Sequence, residues 1–324
     1  MDIGSPLWVE TVARLFGVAS SAVVATQEDL AIGGHHYRIH DGVIILDGAP
    51  VRQETSWGTA DDVRRSFSAE WETYAELQPE HQQEFDAYFD IVDLDRLADD
   101  VAIDLGCGSG RWSHFLAPHC RAVVLVDFSD AIFVARRNLA GAHNTIFFRG
   151  DVTDLPFVDQ SADFVFSLGV LHHLDRPCLP VARDLMRLGP MGLFYLYYAL
   201  DNRPWYFTPA LRTVTVVRKG LSHVESEKAR RRTSRALAWS VYRPMVGFGY
   251  AAERLSLPVQ VPLYESYRGK SIERIEQDAY DRFFTTIEQR VSKAEIADTF
   301  QGNYEVVFSY QEPYWHFRVD RMVS

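Results

Sequence analysis

The chain has 324 residues, nearly half of them apolar, and a formal charge of -11. That length suffices for a sizeable core in one large or two ordinary domains, and the acidic balance argues against a nucleic-acid partner, which needs a basic face to neutralise phosphates. Cys107, Cys120 and Cys178 are odd in number and lack CxxC spacing, so neither a disulfide framework nor a metal site is expected. No uncharged run reaches roughly eighteen residues and no basic-then-apolar leader is visible, so the reading is a cytoplasmic chain without membrane insertion.

In chain order, residues 1–50 read as a small N-terminal module. Leu7 to Val18 fits an amphipathic helix with Leu7, Val12, Leu15 and Phe16 on one side, and Tyr37 to Ile39 with Val43 to Leu46 flank His40, Asp41 and Gly42 as a hairpin. The Asp-Gly pair suits the positive φ angles of a tight hairpin turn. Residues 51–98 are polar and helical in tendency. Phe67, Trp71 and Tyr74 stand at i, i+4 and i+7, hence on one helix face, which serves plain core packing as readily as a lid.

The most informative stretch is VAIDLGCGSGRWS, Val101 to Ser113. A buried strand with Asp104 in it runs into Gly106, Gly108 and Gly110, and a helix begins near Arg111. Glycines allow a sharp turn and a close backbone approach to a nucleotide-like ligand at a helix start. The dinucleotide pattern GxGxxG would need glycine at 111, where the chain has arginine, so a pyrophosphate loses its close helix contact. Further strand ends follow at regular spacing. Ala122 to Val126 ends in Asp127 and Phe128, about twenty residues past the first glycine, where an acid accepts bonds from ribose hydroxyls. Thr145 to Phe148 leads to Gly150, Asp151 and Val152. Ala162 to Leu168 carries Ser167 and Leu168 and continues into GVLHHL with His172 and His173. Taken singly, Asp127 could be a surface acid, Asp151 a turn cap and the histidines plain core. Helices are expected at Trp112 to Ala117, Ser129 to Ala140 and Cys178 to Leu188, with Leu193 to Tyr198 as a fifth strand. Alternating strands and helices predict a doubly wound, mostly parallel sheet whose ligand sits outside the carboxyl ends of the strands.

Together these motifs resemble the class I S-adenosylmethionine (SAM) dependent methyltransferases. The resemblance implies a Rossmann-like α/β fold with a seven-stranded sheet, SAM as cofactor, and a catalytic domain over 99–324. It implies that the glycine loop wraps the methionine part, that Asp127 meets the ribose and that Asp151 meets the adenine amino group. Asp104, Gly106, Cys107, Gly108, Gly110, Phe128, Val152, Ser167 and Leu168 then surround the cofactor, with Trp71 and Tyr74 closing over it. The stretch GGHHYRIHDGVIIL resembles the end of a zinc-ribbon module that precedes many bacterial methyltransferases. Here Gly33, Gly34, His35 and His36 stand where metal-binding cysteines would be, which implies a metal-free relic.

Residues 201–290 interrupt the alternation with aromatic residues and with prolines at 204, 209, 244, 258 and 262, and read as helices joined by fixed bends. The resemblance makes this insertion a cap that selects a bulky or partly apolar small-molecule acceptor. The basic run Lys228 to Arg235 reads as a solvated helix face. Tyr304 to Tyr310 and Tyr314 to Val319 alternate like a final antiparallel pair. Methyl transfer mainly requires acceptor and methyl to be held in line and water to be excluded. A base helps if the acceptor is a hydroxyl, and His172, His173 and then Tyr198 are the candidates. Three functions follow: methylation of a small molecule on O, N or C; a SAM-assisted reaction such as cyclisation; or a non-catalytic SAM-binding partner. The oligomeric state is open.

Overall fold

A computed structural model describes residues 1–46, 80–200, 203–221, 224, 226–284, 287–309 and 315–322. Strands β1 (Val23–Ala25), β2 (Asp29–Ile32), β3 (His35–His40) and β4 (Val43–Ile45) precede β5 (Val101–Leu105), β6 (Ala122–Asp127), β7 (Thr145–Arg149), β8 (Phe164–Leu168), β9 (Met191–Leu196), β10 (Tyr304–Phe308) and β11 (Trp315–Arg321). They form one sheet in the order β1-β2-β3-β4-β7-β6-β5-β8-β9-β11-β10. Pairing is parallel from β4 through β9 and antiparallel at both ends. β5 and β6 are buried along their whole length, as expected for apolar runs covered on both faces. The chain winds outward from β5 through β6 to β7, then returns to the other side of β5 at β8. The glycine turn therefore leaves the sheet at its topological switch point.

The expected count of seven strands is corrected to eleven among the described residues. β5 to β11 alone would make seven; the others come from the N-terminal residues, because Val43 to Ile45 pairs in parallel with Phe147 to Arg149. An uncovered β7 would present a row of unpaired backbone groups, and β4, apolar and fully buried, covers that edge. The turn before it is as the sequence suggested, with Asp41 at φ 47° and Gly42 at φ 74°.

Helices α1 (Pro6–Phe16), α2 (Glu80–Tyr88), α3 (Arg111–Leu116), α4 (Ala131–Asn138) and α5 (Cys178–Leu185) belong with this sheet. α1 buries Trp8, Val12, Ala13 and Leu15, so Trp8 takes the place expected for Leu7. It ends at Gly17 (φ 66°), whose successor Val18 donates its N–H to the Ala13 carbonyl. α4 starts two residues later than expected because the Ser129 N–H and O–H are both engaged by Asp127. The last strands run Tyr304–Phe308 and Trp315–Arg321, offset from the expected bounds.

The remaining helices are α6 (Phe207–Leu221), α7 (Glu227–Leu237), α8 (Arg243–Arg254), α9 (Tyr264–Tyr267) and α10 (Ile272–Phe284), and α11 (Lys293–Thr299) returns to the sheet. The chain forms two compact units, Met1–Tyr197 with Lys293–Ser324, and Tyr198–Ser292. The second has its own core of Tyr242, Val246, Tyr264, Tyr267, Ile275, Tyr280 and Phe284. A π-helical turn, Ala238–Tyr242, joins α7 to α8.

Arg14 on α1 grips Asp163, just ahead of β8, with two bonds of 2.7 and 2.8 Å, and the same carboxylate accepts the Val101 N–H at 2.9 Å. One side chain thus ties the N-terminal helix to the starts of two central strands. Burial alone would raise the Asp163 carboxyl, but the Arg14 bonds and the Val101 N–H hold it below the usual carboxylate range. Its contribution is present above about pH 4 and lost as pH falls further. Both side chains are about a third exposed, which reduces the effect. Arg14→Ala is expected to destabilise the protein by about 1 kcal/mol in denaturant titration, and Asp163→Ala by more, about 2 kcal/mol, because it also orphans the Val101 N–H.

Candidate functional site

The turn after β5 has positive φ at Gly106 (82°), Gly108 (53°) and Gly110 (75°). Side chains are excluded by packing as well as by φ: a Cβ on Gly106 would lie 2.6 Å from Val170, and one on Gly110 2.5 Å from Leu139. The Gly106 and Cys107 N–H groups donate to the Val126 carbonyl, which holds the turn against the end of β6. From β6, Asp127 receives the Gly108 N–H at 2.9 Å on one oxygen and the Ser129 N–H and O–H at 2.8 and 2.6 Å on the other. This carboxylate fastens the first two strand ends together. Arg111, where a dinucleotide turn would have glycine, is buried 3.9 Å from Glu84 of α2.

Asp104 and Asp127 are both almost completely buried. Burial, opposed by the Ser113 hydroxyl at 2.7 Å and reinforced by the negative charge of Asp127, pushes Asp104 up to about 7. Burial also raises Asp127, against the pull of Ser129 and Gly108. Cys107 is driven well above its ordinary value by burial and by these two acids, which makes it an inert thiol.

The other expected site residues are distributed as follows. Phe128 is half-buried beside Asp127. Asp151 is exposed and accepts the Thr153 N–H and O–H, both at 2.8 Å, in a side-chain-capped turn, while Val152 is buried. Ser167 is fully buried and donates to the Leu105 carbonyl at 2.7 Å, clipping β8 to β5, and Leu168 is buried next to it. His172 and His173 lie in a 3-10 turn after β8; His172 is fully enclosed and stacks on Tyr197 with ring centres 3.9 Å apart. Tyr198 belongs to the second unit, where its hydroxyl accepts the Arg203 Nε–H at 3.0 Å. Trp71 and Tyr74 lie outside the described residues, as does Phe67.

Several side chains near this sheet end were not singled out by the motifs. Tyr88 on α2 sits 5.1 Å from both Trp112 and Tyr195, and Tyr195 in turn is 6.2 Å from His172. His316 on β11 pairs in register with Tyr195 and places Nε2 3.1 Å from Asp90 Oδ1, while Ser309 donates to Asp90 Oδ2 at 2.8 Å. Tyr195 near the end of β9 and Tyr197 just past it alternate and signal an aromatic face, whereas no local pattern links His316 to Asp90. A cleft of about 550 Å³ lined by Met1, Glu28, His40 and Arg136 lies at the N-terminal strands. It contains none of the residues at the glycine turn.

Residues 102–188 match the family described as Methyltransferase domain. A candidate methyltransferase of Encephalitozoon cuniculi is 40% identical over 102 residues, 30% of this chain and 45% of that protein. Demethylmenaquinone methyltransferase of Clavibacter sepedonicus is 43% identical over 97 residues, 30% of this chain and 40% of that protein. The chain thus spans less than half the length of these relatives. The crystal structure of magnesium protoporphyrin IX methyltransferase from Synechocystis is 15% identical with a TM-score of 0.47, covering 80% of this chain and 98% of that one.

The cofactor of the methyltransferase domain is SAM. The residues present fit it. Two buried acids beside a turn repel each other and would repel a pyrophosphate, whereas an ammonium and a sulfonium offset their charge. A cationic guest favours ionised Asp104, so binding below pH 7 requires release of its proton. SAM affinity of the methyltransferase domain is therefore expected to weaken by up to about tenfold per pH unit below 7 and to level off above it, as read by calorimetry. Without guest, a folded carboxyl raised above its unfolded value makes stability fall as pH rises from about 4 to 7, by up to about 4 kcal/mol. Asp104→Asn is expected to raise the melting temperature of the empty protein at pH 8 by a few degrees and to abolish the pH dependence of affinity while weakening it.

Proposed function

We propose that this protein transfers the methyl group of SAM to the O, N or C atom of a small organic acceptor, as a step in cytoplasmic specialised biosynthesis. The observation that carries this reading is the buried pair Asp104 and Asp127 flanking a glycine turn at the switch point of the sheet. When bound, SAM supplies a methyl already activated on sulfur, so the chain's task is to hold, align and keep dry. In this reading the backbone of Gly106 to Gly110 wraps the methionine part, with Asp104 near its ammonium. Asp127 has one oxygen carrying a single bond and thus capacity for a ribose hydroxyl. Asp151 and Val152 serve the adenine, with Phe128 against its face. Ser167 and Leu168 close the floor.

The acceptor side is assigned to the rings of Tyr88, Trp112, Tyr195, Tyr197, His172 and His173, which suit a flat, partly apolar molecule. Similarity to a demethylmenaquinone methyltransferase favours the same chemical class of acceptor. If the reacting atom carries a proton, His173 or His172 receives it, with Tyr198 as the alternative. The residues 198–292 form the substrate-selecting insertion.

Incubation of the full chain with SAM and a panel of phenolic and quinol acceptors tests this reading by mass spectrometry. Expected are S-adenosylhomocysteine and an acceptor heavier by one methyl; product formed with SAM unconsumed would instead support a cyclisation-type reaction. Asp127→Ala is expected to weaken SAM binding by about 10- to 100-fold in calorimetry. The double change His172→Ala and His173→Ala is expected to lower kcat by about 100-fold for a hydroxyl acceptor, with SAM affinity preserved.

A further inference from the structure

The helix formed by the π-turn and α8 exposes a line of apolar residues on its solvent side, beside Ser240, Arg243, Tyr250, Glu253 and Arg254. Ala238, Tyr242, Val246, Gly249 and Ala252 turn inward to the core of the second unit. On the opposite arc, at helical spacing, lie Val241, Pro244, Gly247, Phe248, Ala251 and Leu255, all exposed. Phe248 is 56% and Leu255 69% exposed, and Val241, Phe248 and Leu255 recur every seven residues along one line. One flank of this line carries Arg243 and Arg254, with Trp239 (54% exposed) stacked on the Arg243 guanidinium at 5.5 Å.

Charge on this segment opposes that of the chain as a whole. From the start of α7 to Leu255, residues 227–255 hold Lys228, Arg230, Arg231, Arg232, Arg235, Arg243 and Arg254 against Glu227 and Glu253, in a chain of net charge -11, and Arg235 is paired with Glu276 at 2.9 Å. Glu253 is itself engaged by Tyr264 and Arg268. An exposed apolar line with an aromatic ring and clustered cations, in which the one acid of α8 is already engaged, matches a helix lying in the interface of a bilayer. No described helix is long and apolar enough to cross a membrane, and a peripheral mode requires none.

We infer that α8 and its preceding π-turn dock this protein onto the surface of an anionic lipid bilayer, with Phe248 and Leu255 entering the acyl boundary and the exposed Arg232, Arg243 and Arg254 meeting lipid phosphates. A second copy of the chain is disfavoured as the occupant, because two such faces would set arginine against arginine. The inference stands on the second unit alone and does not depend on the SAM reading.

The test is co-sedimentation of the full chain with phosphatidylcholine vesicles with and without phosphatidylglycerol, alongside size-exclusion chromatography. Expected is binding to the anionic vesicles that falls about tenfold or more in the Phe248→Ser, Leu255→Ser double variant and separately in the Arg243→Gln, Arg254→Gln variant, and that is suppressed by salt. Both variants change only exposed side chains, and an unaltered melting temperature confirms that they fold. Failure of the wild-type chain to bind anionic vesicles overturns the inference, as does equal binding by the double variant. A concentration-dependent dimer that the double variant abolishes, without vesicle binding, assigns the surface to a second copy and overturns it as well.

Discussion

Everything at the carboxyl end of this sheet depends on one carboxylate. Asp127 closes β6, accepts the Gly108 N–H of the neighbouring turn and orders Ser129 at the start of α4. Without it the glycine turn would have a buried donor with nothing to satisfy it, and the positive φ angles at three glycines would lack an anchor. The cost of this arrangement is electrostatic. A second buried acid, Asp104, lies close enough to feel the first, and it is stabilised by a single hydroxyl. Two buried acids thus stand close together at the turn.

The central strands and the glycine turn were legible in the sequence for a physical reason. Central parallel strands must be apolar throughout, and polar residues at their ends stand out against that background, so Asp127 and the glycines were legible as a set, though not singly. The Asp41-Gly42 turn was equally readable, since it demands two positive φ angles in succession. What escaped was long-range. The three residues Val43 to Ile45 carry no local sign that they will pair with β7, about a hundred positions further on, and so the sheet is wider than its motifs implied. His316 and Asp90 meet across 226 positions, which no spacing rule can reveal.

Two residues show how a correct motif can conceal a different local task. Ser167 follows an apolar run at a strand end, yet its hydroxyl is directed to the Leu105 carbonyl and secures β8 to β5. Arg111 reads as a missing glycine, but its side chain is buried near Glu84 and helps hold α2 against the turn. In both cases the polar group faces into the protein, and an inward polar group must find a partner before it can serve a ligand.

The second unit was hard to read for the opposite reason: its helices are amphipathic in two senses at once. A basic run ordinarily means a solvated face, and scattered aromatics ordinarily mean core. On α8 the small residues Gly249 and Ala252 face inward, where a Cβ at 249 would fall 2.2 Å from the Tyr264 ring, while Phe248 and Leu255 face outward. Close packing of the helix against Tyr264 fixes its rotation, because turning Phe248 inward would place a large ring where not even a methyl group fits. The outward apolar line is therefore a consequence of how the core is packed and cannot be relieved by a simple roll of the helix.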